Sequence, residues 1–334
     1  MNSLERIKAA VEFRKPDRVP VIAQVFGHAA AFSGVYLLDY LQNGETLARS
    51  QLKSLKHYDY DAVFALMDVS VETEAAGSFL TYRHERYPTV KSYAFSKKHD
   101  LDAMKVPDPK KAGRMPELLK ACRILRKEVG NDVLVVGCVI GPMTLALQLM
   151  GAEKALFLAV DEPDVFAGIL DYATEVIIRY GLEQIEAGAH LPIVFNPSAS
   201  PEIIPHSFFR EFELPRLEKI FSAFKKQGAA AGWLHIAGAV QPIMPYYPKA
   251  GVTIANIDYC INPAEAMAVL PKTCLNGNIK PLSFVEDTPD SIFEASKKLL
   301  ECFDQRGGFI LSSGCEIPPE SKFENIKAMV DAAR

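Results

Sequence analysis

Short apolar runs alternate with amphipathic stretches along the whole of this 334-residue chain. The runs are Val19–Ala23, Ala62–Leu66, Val133–Gly137, Pro192–Phe195, Ala230–Leu234, Val252–Ile257, Thr273–Leu275 and Phe309–Leu311. They are rich in β-branched and aliphatic residues and lack strict polar alternation, which suits parallel strands buried on both faces. The stretches between them are punctuated as helices. Asp161-Glu162-Pro163 predicts a helix start, with an acidic cap and proline at the first turn. Phe166, Ile169, Leu170, Ala173, Ile177 and Tyr180 follow at helical spacing, and Gly188 comes after the end. Thr288-Pro289 predicts another start, and Ser321-Lys322-Phe323-Glu324 reads as a capping box.

Eight strands alternating with helices predict an α/β fold, a (β/α)8 TIM barrel formed as one domain over residues 1–334. A leading helix over Asn2–Phe13, closed off before Pro16, stands outside the repeating units. The extra length lies between strands two and three, where Gly77 to Pro107 reads as an insertion of hairpin and loop. The rival fold is an open doubly wound sheet, but no Gly-x-Gly-x-x-Gly follows the first run.

The composition, 49% hydrophobic, is enough for a core of barrel size. The formal net charge of −4 gives no footprint for nucleic acid or an anionic membrane. Six scattered cysteines without a Cys-x-x-Cys pair read as reduced and mostly buried, in a cytoplasmic protein. The opening residues show no apolar run of a signal peptide. Val133 to Met150 approaches the length of a membrane span, but Gly137, Gly141-Pro142, Thr144 and Gln148 break it into strand, turn and helix.

In such a barrel the chemistry gathers at the C-terminal strand ends. Gln24 and His28 follow the first run, and Asp68, Glu72 and Glu74 the second. Asn196 and Ser198 follow the fourth, His235 the fifth, and Asn256 and Asp258 the sixth. Asn276 and Asn278 follow the seventh, and Ser312, Ser313 and Cys315 the eighth. An apolar barrel with one polar, non-basic mouth reads as a small-molecule site. Each residue also has a plain structural reading. His235 suits a core histidine and Cys315 a small hydrophobe. The acids suit a helix start, and Asn276-Gly277-Asn278 suits a turn. His235 and Cys315 carry the sharpest question. A His-x-Cys pair with a distant Cys makes a three-ligand zinc site with one open position. Here Ala237 stands at the middle thiol, so only His235 and Cys315 remain as donors.

Taken in order, these motifs resemble the uroporphyrinogen decarboxylase superfamily, and within it the corrinoid-protein-dependent methyltransferase branch. The matching pieces are Arg18-Val19-Pro20-Val21, Tyr60-Asp61-Ala62-Val63 with Asp68, Glu72-Thr73-Glu74-Ala75 and Gly141-Pro142-Met143-Thr144. Asn196-Pro197-Ser198-Ala199-Ser200, His235, Asn276-Gly277-Asn278-Ile279 and Gly314-Cys315-Glu316 complete the set. Three departures matter. The arginines that hold substrate carboxylates in the decarboxylases are missing after the first strand, where Ala23 to His28 stands, which argues against porphyrinogen decarboxylation. Asn196 replaces the usual Asp, and Ala237 breaks the zinc set of the thiol-methylating members.

The resemblance implies methyl transfer from a methylated corrinoid. No Asp-x-His-x-x-Gly is present, so methylcobalamin is expected on a separate corrinoid protein as a transient partner. A thiol acceptor needs zinc to hold it as thiolate, whereas a neutral amine needs only orientation and a proton acceptor. The expectation is therefore zinc-free methylation of N5 of tetrahydrofolate. His235, Asp258 and Glu316 are the expected catalytic groups. Asn196, Asn278, Asp68, Glu74, Ser198, Gln24 and Cys315 are the expected substrate-binding groups. The alternatives are a zinc-dependent methyltransferase acting on a thiol such as coenzyme M, with His235 and Cys315 joined by Glu316 or Asp258 as ligands, then a decarboxylase, then a non-catalytic binding barrel.

Overall fold

The structure, a computed structural model, describes residues 1–95 and 105–334. Residues 96–104 of the expected insertion, His99 among them, lie outside the described residues. Eight parallel strands form a nearly closed barrel: β1 (Val21–Ile22), β2 (Ala62–Ala65), β5 (Leu134–Ile140), β6 (Leu191–Phe195), β7 (Trp233–His235), β8 (Ile254–Asn256), β9 (Cys274–Ile279) and β10 (Phe309–Ser313). They pair in the order β1-β10-β9-β8-β7-β6-β5-β2. Helices follow the strands, and the (β/α)8 expectation holds. The insertion forms an antiparallel hairpin, β3 (Phe79–Arg83) with β4 (Arg86–Ser92), that pairs with no described barrel strand.

Alternation along each strand divides the core in two. Inward residues Ile22, Phe64, Val136, Ile193, Trp233, Ile254, Cys274 and Ile310 fill the barrel. Outward neighbours such as Val63, Val135, Val194, Leu234, Ala255 and Leu311 pack beneath the helices. The leading helix, Ser3–Val11, is capped by Asn2 in a reciprocal capping box with Glu5. Its Leu4, Ile7 and Ala10 join the barrel-filling cluster and plug the N-terminal end.

The strands β1 and β2 meet at a seam held by one fully buried side chain. Asp61 accepts from Arg6 Nη1 at 2.7 Å, from Arg18 Nη1 at 2.8 Å and from the Val21 amide at 2.7 Å. Its own amide donates to Val21 O at 2.8 Å, so backbone and side chain together bridge the seam.

Four expectations are corrected. The seventh strand does not stop at Leu275. Asn276-Gly277-Asn278 is not a turn but the middle of β9, paired to β10 through Ile310, Leu311 and Ser312. The close approach of Ile257 explains the glycine, because a Cβ at Gly277 would lie 2.4 Å from Ile257 O. The Ser321 capping box does not form. The Lys322 amide donates to Phe284 O at 3.0 Å, and the last helix, Phe323–Ala332, begins one residue later than the motif requires. The acidic cap before Pro163 makes no side-chain cap bond, although the helix does open at Pro163. Cys260 and Cys302 are exposed rather than buried, the first in the loop after β8 and the second on the helix Pro289–Phe303.

Val133 to Met150 divides into β5 and the helix Pro142–Met150. Among the described residues no single helix is long and apolar enough to cross a membrane.

Replacing Asp61 by alanine strips the half-buried Arg18 of its carboxylate partner, leaves Arg6 with Asp17 alone and orphans the Val21 amide. A loss of about 3 kcal/mol is expected from urea unfolding, with the denaturant slope unchanged.

Candidate active site

A cavity of about 390 Å³ opens at the C-terminal ends of the barrel strands, within the size range of small-molecule sites. Phe26, Leu66 and Phe195 make its apolar floor, and Tyr87, Pro88, Thr89 and Val90 of the hairpin make one wall. Its polar groups include Asp68, Gln148, His235 and Glu316. A larger hollow of about 670 Å³ lies at the opposite end, lined by Ala230, Val252 and Thr273 where strands begin. Barrel chemistry gathers at the strand C-termini, so the smaller cavity is the candidate site.

His235 ends β7 with only 2% of its surface exposed. Its ring lies 4.7 Å from that of Phe195, and its Nδ1 has no hydrogen-bond partner. Burial pushes its pKa down to about 3, so the imidazole is neutral at neutral pH. Ala237 follows and lines the same cavity. Burial pushes the Cys315 thiol up to about 11, which keeps it protonated. Burial also pushes Glu316 up to about 7. Glu316 Oε1 accepts from Tyr87 Oη and, at 3.3 Å, from the Gly27 amide. That amide also donates to Tyr87 Oη at 3.0 Å.

Beside this group lies a buried ion cluster. Arg114 donates to both oxygens of Asp68, to Ser70 Oγ at 3.3 Å and to Glu74 Oε2 at 2.8 Å. Tyr82 of the hairpin donates to Glu74 Oε1 at 2.7 Å and stacks its ring under the guanidinium. Asp68 reaches the cavity, whereas Glu74 stands behind it.

The remaining expected site residues form the scaffold of the mouth and do not line the cavity. Asn196 is fully buried, accepts from Thr144 N and Oγ1 at 3.2 and 3.0 Å, and donates to Glu213. The Ser198 amide donates to the same Thr144 hydroxyl at 3.2 Å. Asp258 accepts from the Gly238 amide at 2.7 Å, and Asn278 donates to Asp258 O and Ile261 O at 3.1 and 2.8 Å. Gln24 donates to Asn256, Ser312 and Ser313 O across the barrel. His28 is bound to Tyr58 Oη at 2.9 Å and belongs to the core.

Sequence reasoning brought Asp68, His235, Cys315 and Glu316 to one place. It missed Arg114, Tyr87 and Gln148. Arg114 precedes a helix without a motif, and Tyr87 reaches Glu316 across 229 positions of chain.

The donor set does not fit a three-ligand zinc site. From the His-x-Cys…Cys pattern only His235 and Cys315 face the cavity; of the neighbouring carboxylates, Glu316 is engaged by Tyr87 and Gly27 and Asp258 by the Gly238 and Tyr259 amides. Among the described residues no three His, Cys, Asp or Glu side chains converge as metal ligands.

The family model for uroporphyrinogen decarboxylase (URO-D) matches residues 2–334. The chain belongs to the uroporphyrinogen decarboxylase family. Within that family it is 31% identical to the methylcobamide:CoM methyltransferase MtaA of Methanosarcina barkeri, over 98% of this chain and 96% of the relative. It is 27% identical to the methylcobamide:CoM methyltransferase MtbA of Methanosarcina mazei, over 99% and 97%. A solved methyltransferase from Methanosarcina mazei superimposes with a TM-score of 0.91 at 30% identity, covering 100% of this chain and 98% of its own.

Two buried carboxyls near this URO-D family site set a pH signature. Burial pushes Glu72 and Glu213 up to about 7 from the ordinary 4.5. Each therefore holds its proton more tightly in the folded state. The stabilisation is complete below about 4.5 and is lost as pH rises through about 7. Urea midpoints measured from pH 5 to 8 should fall with pH, and Glu213→Gln should flatten the slope by roughly 1 kcal/mol per pH unit.

Proposed function

We propose that this chain moves a methyl group from a methylated corrinoid, delivered by a separate corrinoid protein, to N5 of tetrahydrofolate. Methyl transfer from a corrinoid is supported by the likeness to the methylcobamide methyltransferases over nearly the whole chain. The acceptor is argued from one observation: Ala237 stands at the middle thiol position of the cavity, leaving only His235 and Cys315 of the zinc donor pattern, beside the Glu316 carboxyl that burial pushes up to about 7. That set has little to hold a thiolate, but it can receive the proton of an amine.

In this reading the N5 lone pair attacks the methyl carbon in line with the cobalt–carbon bond. The electron pair of that bond leaves with cobalt, and N5 passes its proton to the Glu316 carboxylate. Tyr87 and Gly27 keep that carboxylate aimed. Phe26, Leu66 and Phe195 exclude water from the reacting centre, which strengthens the few polar contacts there. Asp258, Asn196 and Asn278 do not line the cavity, so the hydrogen-bonding edge of the pterin falls to Asp68, already paired with Arg114, and to Gln148, which do. A thiol acceptor is the second reading, favoured by the names of the relatives, which are methylcobamide:CoM methyltransferases.

Metal analysis after zinc exposure and desalting separates the two. The amine reading expects near-zero zinc and 5-methyltetrahydrofolate from methylcobalamin. About one zinc per chain with a methylated thiol product replaces it with the second reading. Ala237→Cys should restore the third donor and raise bound zinc to about one per chain. Glu316→Gln should lower kcat on tetrahydrofolate by about a hundredfold.

A further inference from the structure

The hairpin β3–β4 is built unlike the rest of the molecule. It is a two-stranded sheet with bulged pairing, joined to no described barrel strand, and such a unit is marginal alone. Phe79 at its start is 72% exposed, so it lacks a buried apolar anchor there. Besides the packing of the Tyr87 ring against the core, polar links tether it. Tyr82 reaches Glu74, the His84 carbonyl accepts from the Leu38 amide at 3.3 Å, and Tyr87 reaches Glu316 and Gly27.

The Tyr87 link differs from the others in position. Tyr87 is immediately followed by Pro88, Thr89 and Val90, which form the cavity wall. Its hydroxyl touches the barrel where β1 and β10 are neighbours, through Gly27 after β1 and Glu316 after β10. The fit is tight, because a Cβ on Gly27 would lie 2.9 Å from that hydroxyl and 2.8 Å from Pro319 Cγ.

We propose that the β3–β4 hairpin is a lid over the acceptor cavity, and that Tyr87 is the positioning residue that latches it, aiming the Glu316 carboxylate only when the lid is shut. The role given to Glu316 rests on the function proposed above; the lid itself does not. With Tyr87 in place, one hydroxyl fixes both the wall and the carboxylate. When it lets go, the wall withdraws and Glu316 loses its charge-assisted donor together, so entry of the acceptor and alignment of the proton acceptor are one event.

The test is amide hydrogen exchange on the free, full-length protein, followed by methyl-transfer kinetics with methylcobalamin. Tyr87→Phe should speed exchange of the amides of residues 86–92 by about tenfold or more, with β5 and β9 unchanged. Glu316→Gln keeps an acceptor oxygen and should leave hairpin exchange within about threefold of the unmodified protein. Tyr87→Phe should also lower kcat while leaving KM for methylcobalamin within about twofold, a split expected of lost alignment rather than lost binding. Equal hairpin exchange with and without the hydroxyl overturns the lid, as does faster exchange spread evenly over hairpin and barrel. If Tyr87→Phe does not fold, Glu316→Ala removes the acceptor instead and must give the same local speed-up. A protein with the exchange pattern but no turnover on tetrahydrofolate keeps the lid and sinks the acceptor.

Discussion

The barrel depends on how Asp61 closes its seam. Seven neighbouring pairs of strands are joined by parallel ladders, but β1 is two residues long and meets β2 through little backbone. Asp61 supplies what is missing there, by accepting from the Val21 amide and pairing with Arg6 and Arg18 at once, while Asp17 balances the second charge at Arg6. A charge so deep is tolerable only because every lone pair finds a donor. With the seam shut, the eight strand ends form a continuous rim, and groups from both ends of the chain, such as Gln24 and Ser312, come within hydrogen-bonding reach.

The rim is organised by carboxamides and carboxylates that mostly hold one another. Asn196 ties the first turn of the helix Pro142–Met150 to Glu213, Asn278 ties β9 to the loop after β8, and Gln24 crosses the barrel to Asn256. Buried polar networks of this kind fix side-chain positions when they are satisfied. They leave the cavity itself sparsely polar, so the few groups that do face it act in a low-dielectric setting that shifts their proton affinities.

The fold was legible because its signals are local and repeated. A buried parallel strand writes a continuous apolar run, and eight runs with helix punctuation admit few architectures. Errors fell where tertiary contacts override local preference. Asn276-Gly277-Asn278 has turn chemistry, yet flanking strands on both sides draw it into the sheet. The site was legible in outline, since the strand ends located Asp68, His235, Cys315 and Glu316. Which side chains point into the cavity and which lock the rim was not legible. Asn196 and Asp68 follow similar strands, and only packing sends one behind the wall and the other into it. Tyr87 carried no signal at all, because its meaning arises from a partner hundreds of residues away.

The hairpin wall has a consequence for how this scaffold can be altered. Its residues contribute to the cavity without contributing to the barrel ladders. The barrel ladders and the surface that meets the incoming molecule are therefore largely separately encoded in the chain, with Tyr87 belonging to both the wall and the reacting centre. A change of wall length or sequence between Gly77 and Tyr93 that keeps Tyr82 and Tyr87 would leave the barrel's strand pairing untouched. It would present a new face to whatever enters, so the molecule works as a fixed socket with an interchangeable jaw.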